Sequence, residues 1–273
     1  MDKKISVYFI EQPDWEKWIR MVAVDFELFF GPCENCYPPD YDLVIPLTIN
    51  ATHYLNRHYP DYNGFKFLVS DSDVLASSDH KGRFAEKLGR LGLGHYSPNL
   101  PVGVPSVYPY VFKKAVSGFG VDAYVIENEI QERALMAKVN ETDYVRQRWI
   151  SGDIEFASHV LFDGTKALFL HTIEYQMPQG LYIKGRPTKC QSMKPIEHGH
   201  FLSFFELILT GLNFKGLCCF DYKLENGELK IFELNARYGG SLSSVINRVI
   251  PILYEYLQQT PAVANNNDAV STY

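Results

Sequence analysis

Residues 216–241, GLCCFDYKLENGELKIFELNARYGGS, form the stretch from which the rest of the chain can be interpreted. Its apolar residues fall into two runs separated by Asn226-Gly227, a dipeptide typical of tight β-turns, so the stretch predicts a β-hairpin. Three oxygen-bearing side chains, Asp221, Glu233 and Asn235, interrupt the apolar runs. Because buried carboxylates need partners and hard cations such as Mg²⁺ bind oxygen ligands, the pattern predicts a metal site.

The predicted metal site depends on the register of the hairpin, because successive side chains of a strand point to opposite faces. A two-residue loop at Asn226-Gly227 would put Asp221 and Glu233 on opposite faces of the sheet. A three-residue loop that also includes Glu225 would put both side chains on the same face. We predict the three-residue loop; the alternative is an edge hairpin with a solvated polar face.

Composition indicates an ordinary globular protein. The chain has 273 residues, of which 46% are hydrophobic and 21% charged, and its formal net charge is −6. This charge does not favour a general nucleic-acid-binding protein. No apolar run reaches membrane-spanning length, and the N-terminal sequence does not resemble a signal peptide, so we expect a cytoplasmic protein without a membrane partner. A homodimer is compatible with these bounds.

The five cysteines are an odd number, which fits reduced thiols. Cys33 and Cys36 form a C-x-x-C, which is typical of a redox pair or of half a zinc site. No second C-x-x-C or paired histidine follows to complete four zinc ligands. We therefore interpret the two as structural thiols.

The first 69 residues predict a small parallel α/β unit. Strands are expected at residues 4–10, 41–46 and 65–69, and residues 48–59 are expected to be helical. A stripe of apolar residues from Trp15 to Phe29 has helical spacing and predicts another helix. The unit lacks a G-x-G-x-x-G dinucleotide fingerprint.

Two lysines further along are candidates for binding phosphate. Lys81 lies in the first turn of a helix predicted over residues 78–91, where a cation opposes the helix dipole unless an anion is near. Lys113 ends a predicted strand and is followed by a loop containing Gly118 and Gly120, whose backbone N–H groups could approach phosphate oxygens. The alternatives are a solvated lysine and an ordinary hairpin.

The hairpin motif itself resembles the metal-binding end of the ATP-grasp superfamily, which has an acid on one strand and E-x-N-x-R on the next. Here these residues are Asp221 and then Glu233, Asn235 and Arg237. The positions of Lys81 and of the Lys113 loop are also similar to those of the family's nucleotide lysines, although His80 is inserted before Lys81.

A third similarity lies at residues 144–155, which resemble the adenine-binding linker of D-alanine–D-alanine ligases. Matches fall at Gln147, Trp149, Ile150 and Gly152. The resemblance implies that Glu155 binds the ribose, with Asp153 as the alternative, whereas Trp149 could equally belong to the core. In the polar loop 175–193 the resemblance implies another phosphate-binding cation. Of the three basic residues there, Lys184, Arg186 and Lys189, we select Lys184.

The resemblance implies an α/β fold with α+β elements, in which a small N-terminal parallel α/β domain precedes two α+β subdomains that grip ATP. The expected boundaries are 1–75 for the first domain, 76–148 and 149–259 for the subdomains, and 260–273 for a disordered tail.

The activity that the resemblance implies is that of an ATP-dependent carboxylate–amine ligase working through an acylphosphate. It would use ATP and Mg²⁺, or Mn²⁺, with a small-molecule carboxylate and an amine as substrates. Asp221, Glu233 and Asn235 would hold the metal, and Lys81 and Lys113 would neutralise phosphates. Arg237, with Lys113, would act in catalysis. The alternatives are a small-molecule kinase of the same fold and a nucleotide-binding module without turnover.

Overall fold

The computed structural model describes residues 3–101, 107–118, 120–185 and 188–259. Arg186 and the tail predicted from residue 260 onward therefore lie outside the described residues. The chain divides into two compact units, one formed by the residues up to Val69 together with those from Ser244 onward, and one by Ser70–Ser243. The further division of the second unit into two subdomains stays a prediction.

The described chain contains both strands and helices. The strands are β1 (Ser6–Ile10), β2 (Glu27–Gly31), β3 (Leu43–Pro46), β4 (Tyr110–Lys114), β5 (Ala123–Ile126), β6 (Tyr144–Arg148), β7 (Ile154–Phe162), β8 (Ala167–Gln176), β9 (Ser192–Ile196), β10 (Gly216–Glu225) and β11 (Glu228–Asn235). The helices are α1 (Pro13–Val22), α2 (Ile49–His58), α3 (Ser72–Asp79), α4 (Lys81–Arg90), α5 (Glu129–Met136), α6 (Leu202–Gly211) and α7 (Ile246–Gln259). Across the described ranges, no helix is long and apolar enough to cross a membrane.

The first unit contains the predicted parallel sheet, in the strand order β2-β1-β3. Two details of the prediction are wrong. The helix that begins at Pro13 ends at Val22, and Glu27–Gly31 forms β2 instead of continuing the helix. Residues 65–69 do not form a strand, because Asn63 bonds both the N–H and the C=O of Val69 through its side chain and closes a loop there.

The C-x-x-C cysteines belong to the core of this first unit. Cys33 and Cys36 are free thiols and are almost completely buried among Tyr8, Val44 and Phe67. Burial raises the pKa of each thiol to about 12. Both features agree with the interpretation as structural thiols.

The second unit is built on two antiparallel sheets, one of three strands in the order β5-β4-β6 and one of five in the order β11-β10-β7-β8-β9. Alternation along β4 puts Tyr110 and Phe112 in a hydrophobic core with residues of α5, so Val111 and Lys113 face the other way. In the five-stranded sheet, Phe220 stacks on Phe205 of α6 at 4.6 Å between ring centroids. The opposite face of each sheet is left for a cleft.

The helix predicted over residues 78–91 is divided into α3 and α4 at His80. His80 has an extended backbone, and its Nδ1 accepts a hydrogen bond from the Arg83 N–H at 3.2 Å. The imidazole of His80 therefore caps the N-terminus of α4. Lys81 still begins the second helix.

The loop of the β10–β11 hairpin differs from the prediction. Glu225 pairs with Glu228, so the loop consists of Asn226 and Gly227 alone, and the predicted three-residue loop is wrong. Both loop residues are left-handed, with φ of 54° and 82°, which is the backbone that a two-residue turn joining twisted strands requires.

A β-bulge restores the register that this shorter loop would otherwise disrupt. Tyr222 pairs with Ile231, but Asp221 pairs with Glu233, so Phe232 is one residue in excess on β11. The extra residue changes which side chains of β11 share a face with those of β10. Asp221 and Glu233 consequently lie opposite each other, as the predicted metal site requires.

Candidate functional site

The second unit contains a cleft that brings together most of the residues predicted to act on a ligand. Those lining it are Lys81, Lys113, Gly118, Gly120, Gln147, Trp149, Ile150, Glu155, Lys184, Asp221 and Glu233. They come from α4, from β4 and the loop after it, from β6, from the linker to β7 and the start of β7, from the loop after β8, and from the hairpin. Residues far apart in sequence thus surround one space.

Two predicted residues connect to this cleft through hydrogen bonds. The side-chain nitrogen Nδ2 of Asn235 lies 2.8 Å from Oδ2 of Asp221 and 3.4 Å from Oε1 of Glu233. Arg237 donates from Nη2 to Oδ1 of Asn235 at 3.1 Å. Asp221, Glu233, Asn235 and Arg237 therefore form one chain of contacts along the two strands.

Three lysines direct their ammonium groups at three carboxylates. Nζ of Lys81 lies 3.0 Å from Oε2 of Glu233, and Nζ of Lys113 lies 3.7 Å from the same oxygen. Nζ of Lys184 lies 2.9 Å from Oδ1 of Asp221 and 3.4 Å from Oε2 of Glu155. We call these six residues the charged cluster.

The pKa values of this cluster reflect both burial and neighbouring charge. Burial lowers the pKa of Lys113 to about 8, although Glu233 works in the opposite direction. Burial also acts to raise the pKa of Glu233, but the charges of Lys81 and Lys113 outweigh it and hold that pKa well below its usual range. Burial would lower the pKa of Lys184, yet Asp221 and Glu155 raise it well above its usual value. Lys113, Lys184 and Glu233 are therefore mostly charged at neutral pH.

Two carboxylates of the charged cluster and the nearby Asn235 amide offer oxygen ligands to a divalent cation. Two carboxylates opposite each other and a neighbouring side-chain amide are oxygen ligands of the kind that Mg²⁺ uses. In the described part of the chain, no group of three His, Cys, Asp or Glu side chains is arranged to hold a metal. The third ligand would therefore be Asn235, whose NH₂ faces the carboxylates and whose oxygen faces Arg237, so its amide would have to reverse.

The glycine-containing loop lies beside the charged cluster. Nζ of Lys81 donates to the backbone oxygen of Ser117 at 3.0 Å, and Gly120 has a left-handed backbone with φ of 69°. A Cβ atom added at Gly118 would lie 3.4 Å from Nη2 of Arg237. The absence of a side chain at Gly118 thus lets the loop backbone approach the arginine closely.

The other end of the cleft is aromatic. The rings of Trp149 and Tyr182 meet edge to face with centroids 5.8 Å apart. Nζ of Lys223 lies 5.0 Å from the first centroid and 4.6 Å from the second. We call Trp149, Ile150, Tyr182 and Lys223 the aromatic slot.

Sequence reasoning missed Lys223 and Tyr182. Lys223 could have been found, because it is two residues beyond Asp221 on the same strand and must share its face. Tyr182 lies in a loop whose path the sequence pattern did not specify. Among the basic residues of that loop, Lys184 reaches the cleft whereas Lys189 is exposed.

Gln147 and Asp79 act on the walls of the cleft. Nε2 of Gln147 donates to Oδ1 of Asn99 at 2.6 Å and to the backbone oxygen of Phe232 at 2.8 Å, so it joins β6 to the bulged strand. Asp79 was not among the predicted site residues. Burial raises the pKa of its carboxyl while the neighbouring Arg237 opposes this, which places Asp79 beside the arginine.

The arrangement suits a polyanionic ligand with a flat apolar group. Ammonium groups now neutralised by carboxylates can bind phosphate instead, which would free the carboxylates to hold a cation. The aromatic slot offers ring faces and backbone carbonyls to a planar group.

Comparison with known proteins finds similarity at the level of structure only. No protein-family model and no curated protein sequence matches the chain. A D-alanine–D-alanine ligase from Bacillus anthracis in complex with ATP superposes with a TM-score of 0.60 at 14% identity, covering 94% of this chain and 98% of that one. An L-amino acid ligase from Bacillus licheniformis gives 0.59 at 16% identity, covering 94% and 75% respectively. An N5-carboxyaminoimidazole synthase from Aspergillus clavatus, in complex with ADP and 5-aminoimidazole ribonucleotide, gives 0.57 at 12% identity, covering 87% and 71%.

Proposed function

The chain has the ATP-grasp fold, and from this fold and its charged cluster we propose that it is an ATP-dependent carboxylate–amine ligase. The observation that carries the proposal is the convergence of Lys81, Lys113 and Lys184 on Asp221 and Glu233 inside one cleft. Such a set of charges is suited to holding a triphosphate together with its cation.

The substrates of the structural neighbours make a ligase the natural first hypothesis. Two of the neighbours are named for joining amino acids, and the third was solved with ADP and an aminoimidazole ribonucleotide. At 12–16% identity, this likeness concerns the fold, so the reaction itself rests on the charged cluster of this chain.

The proposed roles follow from the positions of the side chains. Lys81 and Lys113 would move from Glu233 to phosphate oxygens, and Lys184 would bind phosphate from the loop after β8. Asp221 and Glu233, with Asn235 as third ligand, would hold Mg²⁺ or Mn²⁺. When bound, the cation supplies positive charge to the phosphate oxygens. At the other end, Trp149 and Ile150 would contact adenine and Glu155 the ribose.

The proposed reaction has two steps. A carboxylate oxygen of the acid attacks the γ-phosphorus while the bond from that phosphorus to ADP breaks, which gives an acylphosphate. The amine nitrogen then attacks the acyl carbon, phosphate leaves, and the nitrogen loses a proton to give an amide. Arg237, held by Asn235 and close to the glycine loop, would stabilise negative charge on the transferring group.

The test is a coupled assay of ADP release with Mg-ATP and pools of carboxylic acids, each with and without pools of amines. We expect ADP release that requires both an acid and an amine, and deconvolution of the active pools then names the substrates. ADP release with an acceptor but no amine would favour a kinase. ATP binding without ADP release in any pool would favour a nucleotide-binding module, and no ATP binding would refute the proposal.

A further inference from the structure

The aromatic slot contains a buried charge that a simple purine pocket does not need. Lys223 is 2% exposed and lines the cleft near Trp149, on the strand face that also carries Asp221. A lysine at such a position must place its ammonium on polar partners, because an unpaired buried charge is costly. Its partners therefore indicate what the slot can bind.

Lys223 takes its partners from the backbone of the linker between β6 and β7. Its Nζ donates to the backbone oxygen of Ile150 at 3.0 Å and to that of Gly152 at 2.7 Å. The Tyr182 hydroxyl also donates to the Gly152 oxygen, at 3.3 Å. The Gly152 oxygen thus has two donors, one for each lone pair, whereas the Ile150 oxygen has one from Lys223.

These contacts leave the slot with both a hydrogen-bond acceptor and a hydrogen-bond donor at one edge. The Ile150 oxygen keeps a lone pair that can accept a hydrogen bond. An ammonium group has three N–H donors, and the two carbonyls of the linker take two of them. The third donor of Lys223 can serve an acceptor on a planar ligand that lies against the ring of Trp149 or Tyr182.

We propose that Lys223 makes the base site accept 6-oxopurine nucleotides, such as GTP, alongside ATP. The 6-amino group of adenine would donate to the Ile150 oxygen, and the 6-oxo group of guanine or hypoxanthine would accept from Nζ of Lys223. In a slot lined by the linker carbonyls alone, a 6-oxo group would face only acceptors and would be rejected. This inference rests on the proposed function, since it concerns the nucleotide of that same site.

The experiment measures dissociation constants by titration calorimetry for ADP, GDP, IDP and CDP with Mg²⁺, which avoids turnover. In the unaltered protein we expect GDP and IDP to bind within about fivefold of ADP, and CDP more weakly because a single-ring base makes less contact with aromatic side chains. IDP separates the 6-oxo group from the 2-amino group of guanine. In Lys223→Met we expect the ratio of the GDP to the ADP dissociation constant to rise about tenfold, and in Lys223→Arg, which keeps N–H donors, to rise less.

Several results would overturn the inference. GDP and IDP binding more than about thirtyfold more weakly than ADP to the unaltered protein would show that the slot rejects a 6-oxo group. CDP binding as tightly as GDP would mean that the phosphates alone hold the ligand. An unchanged ratio in a folded Lys223→Met variant, with folding checked by circular dichroism, would remove the role of Lys223. ADP binding with rejection of GDP leaves the proposed function standing, whereas failure of all four nucleotides refutes both.

Discussion

The charged cluster and the aromatic slot bind through different kinds of side chain. The charged cluster holds three ammonium groups against three carboxylates, whereas the aromatic slot holds one ammonium against two rings and two backbone carbonyls. Substitution in the charged cluster leaves a buried charge without a partner. Substitution in the aromatic slot mainly removes ring contact area or the hydrogen bonds of Lys223 to the two carbonyls. Substitutions in the charged cluster should therefore mainly change the rate of the reaction. Substitutions in the aromatic slot should mainly change nucleotide affinity and the choice of base.

The largest effect is expected for Glu233→Gln, because it removes a charge that would hold the cation and that two lysines now contact. We expect ADP release to fall by at least about a hundredfold, since such positions act through charge in the transition state. The fold should be retained, because glutamine keeps the shape of the side chain. The assay is ADP release with saturating substrates.

Glu228→Gln is the matched control for this change, because Glu228 begins the same strand and its side chain is 64% exposed. It should leave ADP release within about twofold of the unaltered rate, as expected for an exposed surface position. Equal losses in the two variants, or no loss in Glu233→Gln, would contradict the metal role of Glu233.

A smaller effect, on stability, is expected for Lys184→Met. The substitution leaves Asp221 and Glu155 without the ammonium group between them, and breaking a largely buried pair in this way costs about 2–3 kcal/mol of unfolding free energy after allowance for partial exposure. Chemical denaturation at pH 7 measures this loss. Lys189→Met, at an exposed lysine of the same loop, should change the unfolding free energy by less than about 0.5 kcal/mol.

The pH dependence of the Lys184→Met loss has a definite sign. Although burial acts to lower the pKa of Lys184, Asp221 and Glu155 raise it well above its usual value of 10.5, so the contribution of Lys184 to stability is complete below that value and is lost as the pH rises through the higher folded pKa. The difference in unfolding free energy between Lys184→Met and the unaltered protein should therefore hold from pH 7 upward and shrink only once the pH passes the unfolded pKa of lysine. A difference that already disappears near neutral pH would contradict the ion-pair explanation.

At the aromatic slot, Trp149→Ala should weaken nucleotide binding by about tenfold, the size of a lost base–aromatic stack. The change should appear in the KM for ATP, with kcat reduced less than in Glu233→Gln. Inhibition by inorganic triphosphate, which lacks a base, should be unchanged. Trp18→Ala is the control, since Trp18 is an exposed tryptophan of α1 outside the cleft. A drop in kcat without a rise in KM would contradict the proposed separation between the two ends.

The two ends also differ in how far the sequence could predict them. The charged cluster could be predicted from the sequence because Asp221, Glu233 and Lys113 lie on strands with clear apolar patterns. A carboxylate among apolar residues stands out in such a pattern. The loop length that was predicted to put Asp221 and Glu233 on one face was nevertheless wrong. The two-residue turn and the bulge at Phe232 compensate each other, and no simple pattern in the sequence specifies a bulge.

The aromatic slot was harder to predict from the sequence because loop residues form much of it. Tyr182 reaches Trp149 from the segment between β8 and β9, where no periodicity fixes the direction of a side chain. The misassigned helix end before β2 and the missing strand at residues 65–69 have a related cause. At Glu27–Gly31 a strand formed where the apolar spacing predicted a helix. At residues 65–69 the side chain of Asn63 bonds the backbone where a strand was predicted. In both cases tertiary contacts decided the outcome.

The smallest effect is expected at an ion pair that the sequence did not indicate, on the rim of the cleft. Arg148 donates from both terminal nitrogens to Glu225 at 2.7 and 2.8 Å, joining β6 to the hairpin. Because the arginine side chain is 44% exposed, Glu225→Gln should cost less than about 1 kcal/mol of unfolding free energy, far less than Lys184→Met.

The hydrogen bonds from Arg148 lower the pKa of Glu225, so the contribution of this ion pair to stability is complete above the unfolded pKa of glutamate, near 4.5, and is lost as the pH falls through the lower folded value. Denaturation at pH 7 and at low pH, with and without added salt, measures it. Since salt screens exposed charges much more than buried ones, the difference between Glu225→Gln and the unaltered protein should shrink in salt, while that of Lys184→Met should persist.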